Sequence, residues 1–221
     1  MSDLLLFILS LSIAPAALFG IIRYRKIDKA YYPFVYNVVL ALVLEVTLRI
    51  FTLEGLPSAY IAAQTIYGFL DFYLFLWLFH NWGLLNYKRA NYITVIVIFF
   101  VLWVVTTFFV MGITRPNFYF RSVYGLALVF LGITAFGKVI IQEPKNIFTN
   151  AKFWICLGVI VFYTFFSIIS ITQISILKIR VSMQFQNYLQ SIVVYCNLLA
   201  NLFYGVAILW IPQKKNFINL S

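Results

Sequence analysis

Long apolar runs, broken by short clusters of charge, glycine and proline, dominate the chain. Seven runs can be read, at residues 3–22, 30–52, 60–80, 91–112, 119–141, 152–176 and 184–211. Each is near or above the roughly 20 residues that a helix rising 1.5 Å per residue needs to cross about 30 Å of hydrocarbon. A segment in lipid must satisfy its own backbone polar groups, so helices are expected. A barrel would need alternating strands of about 10 residues, and these runs do not alternate. The pattern predicts an all-α, polytopic membrane protein, a single domain of seven transmembrane helices over residues 1–221.

The breaks support that reading. Arg23 to Lys29 ends the first run, Glu54-Gly55-Leu56-Pro57-Ser58 follows the second, and Asn81-Trp82-Gly83 through Arg89 follows the third. Arg115-Pro116-Asn117, then Gln142-Glu143-Pro144-Lys145-Asn146, then Lys178-Ile179-Arg180 separate the rest. Gly and Pro in such stretches stop helices. The first run holds Asp3 and no Lys or Arg before it, whereas a signal peptide has a basic start, so an uncleaved anchor is expected. Pro15 lies inside that run and should kink it. The loops are too short for an attached soluble kinase, nuclease or ATPase domain, and no phosphate-binding Gly-rich loop is present.

Composition sharpens the class. Apolar residues make up 64% of the chain and charged residues 10%, far from the near-half and one-quarter of soluble domains. The formal net charge of +10 would ordinarily raise nucleic acid as a partner. Here the basic residues sit between apolar runs, so the lipid bilayer explains them and no nucleic acid is expected. One side of the membrane would carry Arg23, Arg25, Lys26, Lys29, Lys88, Arg89, Lys138, Lys145, Lys152, Lys214 and Lys215. The other would carry Arg115, Arg121, Lys178 and Arg180. The richer side should face the cytoplasm, which puts the N-terminus outside and the C-terminus inside. Aromatics at 20% are read as an interfacial belt that includes Tyr31, Tyr32, Trp82, Tyr87, Tyr92, Trp154 and Trp210.

Polar residues inside the runs are the candidates for function, because an ionisable group in hydrocarbon costs about 2.5–3.5 kcal/mol on insertion scales. Glu45 and Arg49 are four apart on the second segment, on one helix face, in the order that favours a pair. At 1.5 Å per residue they would sit about 10 Å and 5 Å below the outer surface. Such a pair suits an interhelical structural role as well as ligand binding. Asp71 lies near the middle of the third segment with no Lys or Arg close in sequence. It should be protonated, since burial raises a carboxyl pKa, or paired with Arg49 or Arg121. Gln64 is seven residues earlier on the same face. On the seventh segment Asn187, Gln190, Asn197 and Asn201 follow a 3-4 spacing, with Val194 in the gap. That stripe can hydrogen-bond across helices or line a wet cavity.

Most of these residues fall in the outer half of the membrane. The inner half holds Asn37, Asn197, Asn201 and little else. A pocket open to the outside and closed toward the cytoplasm is expected, lined by Glu45, Arg49, Gln64, Asp71, Arg121, Asn187 and Gln190. No cofactor or metal is expected. His80 is the sole histidine, and Cys156 and Cys196 are predicted at different depths, unpaired and without metal-ligand spacing. The 184–210 stretch has no Lys for a retinal Schiff base. Gly125, Gly132 and Gly137 should allow close helix contacts.

Three stretches carry a resemblance. They are Arg23-Tyr24-Arg25-Lys26-Ile27-Asp28-Lys29-Ala30-Tyr31-Tyr32-Pro33-Phe34, then Tyr119-Phe120-Arg121-Ser122-Val123-Tyr124, and the run from Asn201 through Gly205 to Pro212. Over most of its length the chain resembles a family of small, uncharacterised seven-helix membrane proteins of Bacteroidota-type bacteria. Members of that family resemble the sensory membrane modules of bacterial histidine kinases. The resemblance implies a multi-pass protein of the cell inner membrane.

The reading that follows is a receptor-like sensor module, not an enzyme. It would take a small polar or charged ligand from outside and signal through a separate membrane or cytoplasmic protein. A small solute or proton-coupled transporter using Asp71 is the alternative, and a structural subunit of a membrane complex is a third.

Overall fold

The computed structural model describes residues 3–85, 89–142, 146–174 and 181–214. Lys88, Lys145, Lys178, Arg180 and Lys215 of the charge distribution, and Tyr87 of the aromatic belt, lie outside the described residues. The described chain is helical: α1 (Asp3–Ser10), α2 (Ala14–Arg23), α3 (Tyr32–Leu53), α4 (Pro57–Asn81), α5 (Arg89–Val104), α6 (Phe118–Gln142), α7 (Ala151–Thr172) and α8 (Met183–Trp210). Six apolar helices, built on α3 to α8, are long enough to cross a membrane. The chain is a multi-pass membrane protein in contact with lipid.

The first predicted span departs from a continuous helix. Residues 3–22 form two short helices, α1 and α2, joined by a 3₁₀ turn at Leu11–Ile13. Pro15 explains the break. It has no N–H to give the carbonyl of Leu11, four residues back, and its ring would crowd that carbonyl. The Ala14 N–H bonds to Leu11 instead, closing the tighter turn.

The fourth predicted span also changes winding. After α5, residues Val105–Met111 form a π-helical turn. Asn117, 1% exposed, holds this turn against the start of α6. Its Nδ2 donates to the hydroxyls of Thr106 and Thr107, both at 2.8 Å, while its Oδ1 accepts the N–H of Phe120 at 3.0 Å. One amide therefore caps α6 and pins the irregular end of the preceding span.

Packing arranges six helices as a ring: α2 on α3, α3 on α4, α4 on α6, α6 on α7, α7 on α8, and α8 back on α2. α5 sits outside, against α4 and α6. Only 11% of its apolar window is buried, against 28–44% for the other five long spans, so its surface belongs mostly to lipid. Small residues permit the closest seams. Gly158 on α7 receives the ring of Tyr204, and Gly132 on α6 meets Val159 and Ile160 of α7. Gly137 has nothing within contact range and does not serve a seam.

Toward one end an apolar layer closes the interior of the ring, and beyond it a second, polar-lined pocket lies among Asp28, Asn81, Asn150 and Lys152. Phe34, Phe75, Phe79, Leu76, Ile155 and Ile208 are buried in the layer. At this end Arg23 caps the last turn of α8, giving hydrogen bonds to the carbonyls of Ile208 at 2.5 Å and Leu209 at 2.7 Å. A short antiparallel bridge joins Ile27 to Gln213. Asp28 N–H donates to Pro212 at 2.9 Å and Lys214 N–H to Lys26 at 2.8 Å. Arg23 thus has a structural task beyond the topological one its charge suggested. Tyr31 of the expected belt is 4% exposed and packs edge-on against Trp82 inside the protein. His80 stacks on Tyr92 at 4.2 Å, and both cysteines are free.

Candidate functional site

Inside the ring lies a cavity of about 560 Å³. Its walls come from α1, the 3₁₀ turn, α3, α4, α6, α7 and α8, with nothing from α5. The lining reaches from Thr52, exposed in the last turn of α3, down to Tyr204 and to Phe75 of the closing apolar layer, both buried. Such a volume falls in the range of small-molecule sites.

Asp71 forms the floor. It is 1% exposed, and its carboxyl is held by neutral donors: Asn37 Nδ2 at 2.7 Å from α3, and the hydroxyl of Tyr163 from α7. Tyr67, Tyr124 and Tyr204 stand around it in the same cavity. The Tyr204 hydroxyl has no hydrogen-bond partner among the described residues. Of the two states expected for Asp71, protonated or paired with Arg49 or Arg121, the pairing is not formed.

Arg121 turns elsewhere. Its Nη2 donates to Gln64 Oε1 at 2.9 Å, and Gln64 Nε2 donates to the Tyr60 hydroxyl at 3.2 Å. Glu45 is near the Ser10 hydroxyl of α1. Depth follows from counting. Gln64 is seven residues from Asp71 and Glu45 eight from Asn37, about 10 Å and 12 Å along two antiparallel helices tied at Asn37–Asp71. Glu45, Gln64 and Arg121 therefore share one level of the cavity, midway to the rim.

Arg49 stands one turn further out. Its guanidinium lies 5.4 Å from the centre of the Phe7 ring, a cation–π geometry. The four-residue spacing puts Glu45 and Arg49 in the same cavity, yet they form no ion pair. Glu45, Arg49, Asp71 and Arg121 all line this one cavity, and none is ion-paired with another described residue.

The stripe on α8 divides. Asn197 and Asn201 line the cavity, and Asn201 Nδ2 donates to Ser12 at 2.9 Å. Asn187 and Gln190 are exposed and do not line it. A 3-4 spacing repeats every 3.5 residues, whereas the helix turns every 3.6, so the stripe drifts about 20° per heptad. That drift sets Asn187 about 40° from Asn201, but it leaves Gln190 on the face of Asn197 and Asn201. The cavity wall on α8 begins only at Val193, and both outer amides lie nearer the start of the helix than that. Gln186 is the buried amide at that end, 5% exposed, and accepts a hydrogen bond from Gln173 at 3.2 Å.

Asn37, Tyr60, Tyr67, Tyr163 and Ser10 join the site without having been among the sequence candidates. The available signal was the phenol at mid-span. A tyrosine far from either end of an apolar helix must find a partner for its hydroxyl. No three His, Cys, Asp or Glu side chains gather among the described residues. No protein-family model, curated protein or solved structure matches this chain.

Proposed function

We propose that the chain is a receptor-like module of the cell inner membrane. Its cavity takes a small polar or charged ligand from the extracytoplasmic side, and a separate protein carries the signal onward. The observation that carries this reading is the set of charges in the cavity: Glu45, Arg49 and Arg121, none ion-paired with another. A charge withdrawn from water without a counter-ion costs several kcal/mol. An arrangement that keeps several such charges in one accessible chamber favours occupancy by water and by a charged ligand. The apolar layer below Asp71, at Phe34, Phe75 and Phe79, favours a binding site over a continuous pore. The basic corner at Arg25 and Lys26 then meets anionic lipid or the signalling partner.

Cysteine labelling tests the reading. In a Cys156→Ala, Cys196→Ala background, Asn197→Cys should react with a membrane-impermeant thiol reagent in spheroplasts. Reaction only in inverted vesicles would sink the extracytoplasmic opening. Arg49→Ala and Asp71→Asn should fold and lose the response. Normal signalling by both would remove the receptor role.

A proton-coupled carrier is the second reading. It is favoured by Asp71, an intramembrane acid at the closed end of the cavity, next to the apolar layer. Solute flux into proteoliposomes that depends on pH and on Asp71 would support it.

A further inference from the structure

Resting on the reading of this cavity as a ligand site, we infer that its ligand is a small zwitterion with an apolar body. The anionic group goes to Arg121 and the ammonium to Glu45. The two side chains come from α6 and α3 and share the middle level of the cavity. Each is held by a neutral group: Arg121 by Gln64, Glu45 near Ser10. Tyr60, on a third helix, has both charges in its surroundings. A guanidinium has five N–H donors, and Arg121 makes one hydrogen bond among the described residues. Opposite charges that share a chamber without touching each other leave a gap. A molecule bearing both complementary charges fills that gap and neutralises each.

A singly charged ligand does this less well. An anion would satisfy Arg121 and leave Glu45 facing a like charge. A cation would do the reverse. Such mismatches are how charged sites reject wrong partners. Between the charged level and the polar floor of Asp71, Tyr163 and Tyr204, the wall includes Ala41, Gly68, Phe166 and the ring of Tyr124, which accept an apolar body. The same chemistry, an ammonium near an anionic group, occurs in free amino acids and in a phosphoethanolamine lipid headgroup.

The test uses three probes with one phenyl body, and thermal stabilisation of the full chain in maltoside micelles. L-Phenylalanine carries both charges, 3-phenylpropionate the negative one and 2-phenylethylamine the positive one. L-Phenylalanine should bind at least about 10-fold more tightly than either, which is about 1.4 kcal/mol. Arg121→Gln should lower it to the level of phenylethylamine, and Glu45→Gln to that of phenylpropionate. Arg121→Lys, which keeps the charge, should retain a preference for the zwitterion and guards against loss through misfolding. If phosphatidylethanolamine stabilises the protein and L-phenylalanine does not, the zwitterion is a lipid headgroup. Equal binding of a singly charged probe, or no stabilisation by any probe or lipid, overturns the inference. Labelling of Asn197→Cys reports separately on whether the cavity is accessible at all.

Discussion

The hydroxyl of Tyr163 donates to the carboxyl of Asp71, across the interior of the ring and 92 positions apart in the chain. α4 and α7 are not successive members of the ring, since α6 packs between them. The bond, with that from Asn37, ties three helices at the depth where the cavity ends.

Removing either donor leaves a buried carboxyl short of one partner. Tyr163→Phe and Asn37→Ala should each lower stability by about 1–3 kcal/mol. Thermal unfolding in detergent checks this. Unchanged midpoints for both would mean the tie does not hold the ring.

Gly158 predicts a seam. A Cβ there would strike the ring of Tyr204, so Gly158→Ala should part α7 from α8 and cost about 1–3 kcal/mol. Gly137 faces open space, so Gly137→Ala should be neutral or stabilise by up to about 1 kcal/mol. The opposite signs are the check, read from the two unfolding midpoints.

Asn117 does two jobs that chemistry can separate. Asn117→Asp keeps the oxygen that caps α6 and loses the donors to Thr106 and Thr107. Asn117→Ala loses both and should cost about 1–3 kcal/mol, with the aspartate variant in between. Hydrogen exchange should show the α6 start protected in Asn117→Asp and open in Asn117→Ala.

Arg23 supplies charged hydrogen bonds to the end of α8. Arg23→Ala should cost about 1.5–3 kcal/mol and speed exchange in the last turn of α8, and Arg23→Lys should restore part of it. Equal exchange in all three proteins would remove the cap.

The helices were legible because length and hydropathy are local quantities. The predicted run 119–141 became Phe118–Gln142, and 60–80 became Pro57–Asn81. The first run was less so. Pro15 signalled a kink, but the 3₁₀ turn depends on which carbonyl the freed backbone finds. Of the candidate residues, Glu45, Arg49, Gln64, Asp71, Arg121, Asn197 and Asn201 meet in one cavity because lipid drives charge and amide groups inward. Which partner each one takes depends on helix rotation, and no local pattern encodes that. Arg121 chose Gln64, and Asp71 chose Asn37 and Tyr163. Asn187 and Gln190 illustrate a second limit: spacing gives the face of a helix but not how far along it a cavity reaches, and on α8 the wall begins at Val193.

The staple between Arg23 and the end of α8 makes the α1–α2 segment and the last helix one mechanical piece. α8 also presents Asn197 and Asn201 to the cavity. A piston-like or twisting displacement of that helix must drag the basic corner from Arg23 to Asp28 with it. A shift of α8 beside the cavity would therefore be felt directly at the end of the ring that holds Arg23 and Gln213.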